Sequence, residues 1–306
     1  MSSKYKVHGD ASKEFVRVFD SLCGARARWT IWTDFLHLAA YSISNVVDTV
    51  HREKREKDYM TISKGYTKKE MLGFSELFAI VVTALDENPN QDFLGHIYMG
   101  LELGNKNTGQ FFTPYDVAKM CALVSVDLEE IERRTFATAH DCCIGGGAML
   151  IGLANALREK HINYQQKVLF VAQDIDHNCC CMAYIQLSLL GCPGYVVCGD
   201  SITTPLTGNP LFAPMDRETF ITPMYCAVDW DIRRRYHLVL GAIGVKPSEI
   251  NGEHALDAVG KEPAHDESEA SAPAVEPTEE KSDEPTDSLA ADTTEETEMI
   301  QMTFFD

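Results

Sequence analysis

The chain has 306 residues, 45% of them hydrophobic, and a formal net charge of −19. Residues 251–306 hold 17 Asp and Glu against two Lys, which leaves only −4 for residues 1–250. Neither part has the basic surplus with which a protein grips DNA alone through its phosphates. Length and apolar content allow one large domain or two smaller ones. No uncharged apolar run could span a bilayer, and the opening "MSSKYKVHGDASKEF" lacks the apolar stretch of a signal peptide. A cytoplasmic protein without membrane contact is expected. The ten cysteines include a doublet, Cys142-Cys143, and a triplet, Cys179-Cys180-Cys181, but no C-x-x-C pair. They read as reduced, buried, small apolar residues, and no metal site is expected of them.

Residues 12 to about 100 read as helices. "EFVRVFDSLCG" has the i, i+3, i+4 apolar spacing, and "WTIWTDFLHLAAYSISNVVDTV" continues it. "REKREK" at 52–57 mixes both signs and reads as a solvated helix face. "SELFAIVVTALDENPN" ends at the turn signal Asn88-Pro89-Asn90. Residues 1–107 are therefore expected to form a helical domain with no chemistry of its own. From about 135 short strands and helices alternate. "RTFATAHD", "KVLFVAQD", "GYVVCGD" and "YHLVLGA" (236–242) read as four strands of a parallel, Rossmann-like sheet, with an irregular insertion at 201–232 before the last. Residues 251–306 are rich in acids and prolines and poor in aliphatics, a composition that cannot bury enough surface to fold.

In an open parallel sheet, ligands bind beyond the carboxyl ends of the strands. Asp141, Asp174 and Asp200 fall at three such ends, and Gly145 and Gly147 follow the first strand. Any α/β fold needs glycine turns and polar strand ends, but three acids in register with three strands favour a site. The phosphate-binding lysine of a P-loop is absent, and Leu150 stands where a dinucleotide fingerprint has its third glycine. An adenosine carrying an amino acid fits better. Its ribose would meet Asp174, its adenine Asp200, and its charged amino-acid end Asp141 and the glycine loop.

"GQFFTPYDVAKMCA", "DCCIGGGAMLIG", "QDID", "YIQLSLLG" and "GDSI" occur in that order. Over about residues 90–242 this set resembles the modification subunits of type I restriction systems, the adenine-N6 DNA methyltransferases. The resemblance implies S-adenosylmethionine as cofactor and DNA as partner, met through other subunits. It also implies that Gln110, Phe111, Phe112, Thr113 and Pro114 line the cofactor pocket. The residues agree, since Thr113 could cap a helix starting at Pro114 and leave the aromatics to wall a pocket.

The family's Asn-Pro-Pro-Tyr/Phe motif follows its fourth strand. That motif orients a poorly nucleophilic amino group and stacks on the flipped adenine. Here the corresponding places hold Ala242, Ile243, Gly244 and Val245, which offer neither acceptor nor stacking face. The expected fold is thus a helical N-terminal domain (1–107), an incomplete Rossmann-like class I methyltransferase domain (108–250) and a disordered acidic tail (251–306). The expected function is cofactor binding within the family, with catalysis lost or supplied elsewhere; the alternatives are a non-catalytic regulatory protein and a polyanionic decoy. The terminal "QMTFF" resembles the short peptides of bacterial sliding-clamp binders, with Gln301, Met302, Phe304 and Phe305 as contact residues.

Overall fold

Phe15, Val18, Phe19 and Leu22 lie on one face of the first helix, α1 (Asp10–Cys23), at the spacing that makes a continuous stripe. That stripe packs on α2 (Arg28–Val47) and α4 (Lys68–Glu87), and the Phe15 ring meets Phe35 and Phe93 edge-on, with centroids 5.4 and 6.0 Å apart. The computed structural model describes residues 10–24, 26–103, 112–242 and 301–303. Between α2 and α4 lies α3 (Arg52–Lys64), and α5 (Phe93–Gly100) follows α4. Thr67 starts α4 with a capping box, its side chain taking the Glu70 amide while Glu70 reaches back to the Thr67 amide.

Further on, α6 (Tyr115–Ser125) and α7 (Leu128–Arg133) lead to β1 (Ala137–Asp141). Then come α8 (Ala148–Glu159), α9 (Tyr164–Lys167), β2 (Val168–Asp174), α10 (His177–Leu189), β3 (Gly194–Cys198), β4 (Thr219–Ile221) and α11 (Val228–Ala242). A three-residue strand, β5 (Gln301–Thr303), closes the list. The sheet order is β4-β3-β2-β1-β5. β1, β2, β3 and β5 run parallel, and β4 pairs antiparallel with β3. The near-continuous burial along β1, β2 and β3 is that of strands covered on both faces.

The first three expected strands are present, but the fourth is not. "YHLVLGA" lies in α11, and the sheet is mixed rather than all parallel. The segment continues a helix begun at Val228, in which Arg235 pairs with Asp231 one turn earlier at 2.7 Å. The strand beside β3 instead comes from inside the 201–232 insertion. Ala242 therefore ends a helix rather than following a strand, while Ile243, Gly244 and Val245 lie outside the described residues. So do the acidic segment 251–298, Phe304 and Phe305; Gln301 and Met302 belong to β5, whose backbone pairs with Thr138 and Ala139.

The chain divides into two compact units, Met1–Tyr236 with Met299–Asp306, and His237–Glu298. Within the first, one hydrophobic core runs from Phe15 and Trp32 through Leu94 and Leu150 to Phe170 and Phe220, so the helices before residue 107 and the sheet share it. Of the second unit, residues as far as Ala242 are described, as helix.

"REKREK" holds the largest surprise of the helical part. It is helical as expected, but Arg55 within it is fully buried. Its guanidinium donates to Asp48 (2.7 Å), to Ser44 Oγ (2.5 Å), to Glu218 (3.2 Å) and to the Thr219 carbonyl of β4 (2.7 Å), and it lies 4.0 Å over the Phe220 ring. Burial raises the Asp48 carboxyl, but the bonds from the His51 amide and ring and the charge of Arg55 outweigh it and hold the group below the ordinary value. Glu218 behaves alike, with Lys54 and Arg55 overcoming its burial.

Removing the guanidinium strands these acids. Arg55→Met should lose roughly 3–5 kcal/mol of unfolding free energy at neutral pH. Carboxyls lowered in the folded state contribute stability above their unfolded value, which is lost as pH falls through the folded one. The deficit should therefore shrink towards pH 3–4, and urea denaturation at both pH values checks this. An equal deficit at both would mean that the loss is one of packing.

Candidate cofactor site

The register of the parallel strands places Asp141 opposite Ala172 and Asp174 opposite Cys198, so the carboxyl ends of β1, β2 and β3 open on one side. The glycine loop crosses this side, and its amides turn towards the strand ends. The Cys143 amide donates to Asp141 Oδ1 (3.0 Å), the Ile144 amide to the Gln173 carbonyl (3.1 Å), and the Gly145 amide to Asp174 Oδ2 (2.9 Å). Gly145 and Gly147 have φ of +54° and +100°, a region open to glycine but strained for other residues. Gly147 is the N-cap of α8.

The middle glycine is required for a different reason. A Cβ on Gly146 would stand 2.7 Å from Asp92 Oδ2. Asp92 caps α5 by accepting the Gly95 amide (2.8 Å), and it also accepts from Gln186 Nε2 (2.7 Å). The same Nε2 donates to the Gly146 carbonyl (2.7 Å), while Gln186 Oε1 accepts the Leu94 amide (3.1 Å). Burial pushes the Asp92 carboxyl up, against the pull of its Gln186 and Gly95 donors. The loop is thus latched from below by α5 and α10. Sequence reading missed Asp92 and Gln186, although an Asp three residues after Pro89 and before an apolar helix is a legible N-cap signal.

Phe112 covers the loop from the other direction. Its ring would lie 3.2 Å from a Cβ on Gly145 and is stacked on Tyr98, with centroids 5.1 Å apart and planes 18° apart. Gln110 and Phe111 lie outside the described residues. Thr113 does not cap the next helix. Pro114 is itself the N-cap, with an extended ψ of 137°, and α6 starts one residue later than expected, at Tyr115. Asp200 lies two residues beyond β3, where its Oδ1 accepts the Ile202 amide (2.9 Å) and fixes the turn that follows. Those backbone bonds hold its carboxyl below the ordinary range.

Asp141 differs sharply. It is 2% exposed, and burial lifts its carboxyl to about 6, with repulsion from Asp174 adding to the lift and the Cys143 amide opposing it. Burial also raises Asp174, against the amides of Asp176 and Gly145. Two such carboxyls stand at the ends of adjacent strands, each holding an amide of the glycine loop. Acceptors of this kind suit a ligand with hydroxyls and a cationic group and do not suit a phosphate.

An Asn-Pro pair with an aromatic two residues on does occur at Asn209-Pro210-Leu211-Phe212. Its acceptors are engaged in a turn. Asn209 Oδ1 takes the Leu211 amide (3.0 Å), and the Pro210 carbonyl takes the Tyr195 hydroxyl (3.0 Å).

The mixed sheet, whose β1–loop–α8 unit presents acids and a glycine turn beside the Phe112 ring, is that of an α/β domain with a candidate ligand site at its strand ends. Residues 89–220, from the turn before α5 into β4, match the N-6 DNA Methylase family. Among solved structures, the chain resembles a type I restriction-modification methyltransferase subunit from Streptococcus thermophilus, with 17% identity, a TM-score of 0.36, and coverage of 67% of this chain and 42% of that one. It also resembles a protein from Listeria monocytogenes assigned to the class I S-adenosylmethionine-dependent methyltransferases, with 14% identity, a TM-score of 0.36, and coverage of 67% and 58%. The chain thus matches about half the length of these two proteins. No protein of curated function matches it in sequence.

A carboxyl raised in the folded state costs nothing below about pH 4, where both states are protonated, and its full cost is present above the folded value. For Asp141, a rise from 3.8 to about 6 corresponds to roughly 3 kcal/mol. Asp141→Asn keeps an acceptor for the Cys143 amide. The variant should therefore be more stable than the parent by up to about 3 kcal/mol at pH 8 and equal to it at pH 4. Denaturant melts of both proteins test this. A less stable variant at pH 8 would show the ionised carboxylate to be a net stabiliser.

Proposed function

We propose that this chain binds S-adenosylmethionine at the carboxyl ends of β1 and β2. The observation that carries this reading is the joined arrangement of Asp141, the Gly145 amide and Asp174. The second Asp174 oxygen already accepts the Asp176 amide at 2.9 Å, which fixes the carboxylate in plane. Fixed in this way, it can accept hydrogen bonds from a ribose diol. Asp141 is held where its ionised form is disfavoured, so a cationic ammonium or sulfonium nearby would stabilise that form. Phe112, backed by Tyr98, supplies an apolar wall.

When bound, the cofactor supplies an activated methyl group. The chain's own residues would bind and orient it and exclude water from one side. Transfer to adenine N6 requires more, namely acceptors that draw on the amino hydrogens while the base is held. Among the described residues, Ala242 ends a helix, Asn209 Oδ1 holds the turn to Leu211, and the Pro210 carbonyl holds the Tyr195 hydroxyl of β3. Methylation of adenine in DNA is accordingly proposed to need acceptor groups from a partner chain, which would also bring the DNA.

Calorimetric titration with S-adenosylhomocysteine, the demethylated product, tests the binding. The parent should bind one equivalent, and Asp174→Ala should bind at least ~10-fold more weakly, about 1.4 kcal/mol. Equal affinity in both proteins, or no binding by a folded parent, would overturn the assignment. Methyl incorporation into unmodified DNA by the chain alone should stay at background.

A further inference from the structure

His37 on α2 meets His177 and Cys181 on α10, some 140 residues further along the chain. His177 and Cys181 are one turn apart on the same face of α10, which puts their donors side by side. His177 Nδ1 lies 3.0 Å from His37 Nε2 and 3.5 Å from Cys181 Sγ, and all three donor atoms fall within 4.8 Å of one another. Around a tetrahedral zinc-like ion, with bonds of about 2.0–2.1 Å to nitrogen and 2.3 Å to sulfur, neighbouring ligands stand roughly 3.3–3.7 Å apart. Shifts of about an ångström or less would seat such an ion.

The contacts without an ion are chemically awkward. A neutral imidazole nitrogen is either a donor or an acceptor. As a donor, His177 Nδ1 has one proton for two neighbours, the His37 nitrogen and the weakly accepting Cys181 sulfur. As an acceptor, it would offer one in-plane lone pair to both the His37 N–H and the Cys181 S–H. An ion that takes one lone pair from each of the three atoms removes this conflict and leaves the outer ring nitrogens free to donate.

The surroundings also restrain the ligands. The His37 ring is stacked on Tyr41 (5.6 Å, 26°), and His177 meets Phe220 edge-on at 5.7 Å. Asn178 holds α10 to α2 through Thr33 Oγ1 at 3.0 Å. Arg55 and Lys54 reach His177 electrostatically, but both are ion-paired with Glu218, which acts on His177 in the opposite sense.

We infer that His37, His177 and Cys181 form a binding site for a zinc-class divalent ion that clamps α2 to the first turns of α10. Two imidazoles and a thiolate without a carboxylate are a borderline-soft ligand set, which favours zinc over magnesium or calcium. Three protein ligands leave a fourth position for water or an exogenous ligand. The site is separate from the acids proposed to hold the nucleoside, yet His177 follows Asp174 by three residues, so occupancy would also steady the chain around that carboxylate.

Cobalt(II) is the probe, added to full-length protein stripped with a chelator. The parent should take up one equivalent, with the visible bands of a tetrahedral site and a near-ultraviolet thiolate-to-cobalt band, both displaced by zinc. Cys181→Ala should lose the charge-transfer band. His37→Gln, altered on the other helix at a partly exposed ring, should bind more weakly by more than the roughly 10- to 100-fold that outer-shell changes cost. Zinc should raise the melting temperature of the parent but not of His37→Gln. A folded parent that gives no such spectrum, or a spectrum unchanged in both variants, would overturn the proposal and leave the cluster as a histidine pair beside a buried thiol.

Discussion

The structure turns on one guanidinium. Arg55 is a full charge with no exposed surface, and such a charge is tolerated only when nearly every donor is matched. Its partners come from three places: Ser44 and Asp48 from α2 and the turn after it, and Glu218 and Thr219 from the start of β4. A planar fork can satisfy such divergent acceptors at once, and a lysine ammonium could not. The result is directional. A hydrophobic contact between the helices and the edge of the sheet could slide, whereas this one fixes α3 against β4 and, through the Phe220 ring below it, against the core.

The same helices also build the site. The glycine loop might be taken as a self-contained turn between β1 and α8, but its middle glycine rests on Asp92 and its first on Phe112. Both residues precede the sheet in sequence, and Asp92 caps a helix that shares the core with α1 and α2. Buried Asp92 is held by Gln186 and the Gly95 amide, and Gln186 in turn holds the Gly146 carbonyl. Removing any member leaves another buried polar group without its partner, so the latch behaves as a unit. The helical segment therefore supports the glycine loop directly, a packing role that composition alone did not reveal.

What could be read from sequence divides along physical lines. The ends of β1, β2 and β3 and the glycine loop were legible because short apolar runs of strand length stop there at an acid or a glycine. "YHLVLGA" misled because seven residues of mixed apolar character fit a strand or a helix equally well, and only the preceding Asp231–Arg235 turn resolves them. Arg55 misled because charge runs are normally solvated, and no local pattern shows that Asp48 and Glu218 will arrive to meet one of the charges. His37 and His177 are 140 residues apart, a separation at which ligand spacing carries no signal.

The order of the sheet bears on how the family's chemistry could be completed. β1 has β2 on one side, and on its other side the pairing covers only Thr138, Ala139 and His140, through the three residues of β5. A parallel strand beside β1 would bring its carboxyl end next to Asp141, on the same side as the glycine loop. That is the side from which groups acting on a bound nucleoside's substituents would have to project. Among the described residues the pairing with β5 reaches three of the five residues of β1 and stops before Asp141, and exposed edges invite pairing. On the proposed reading, whatever extends the ladder past His140 would also decide which side chains stand beside Asp141.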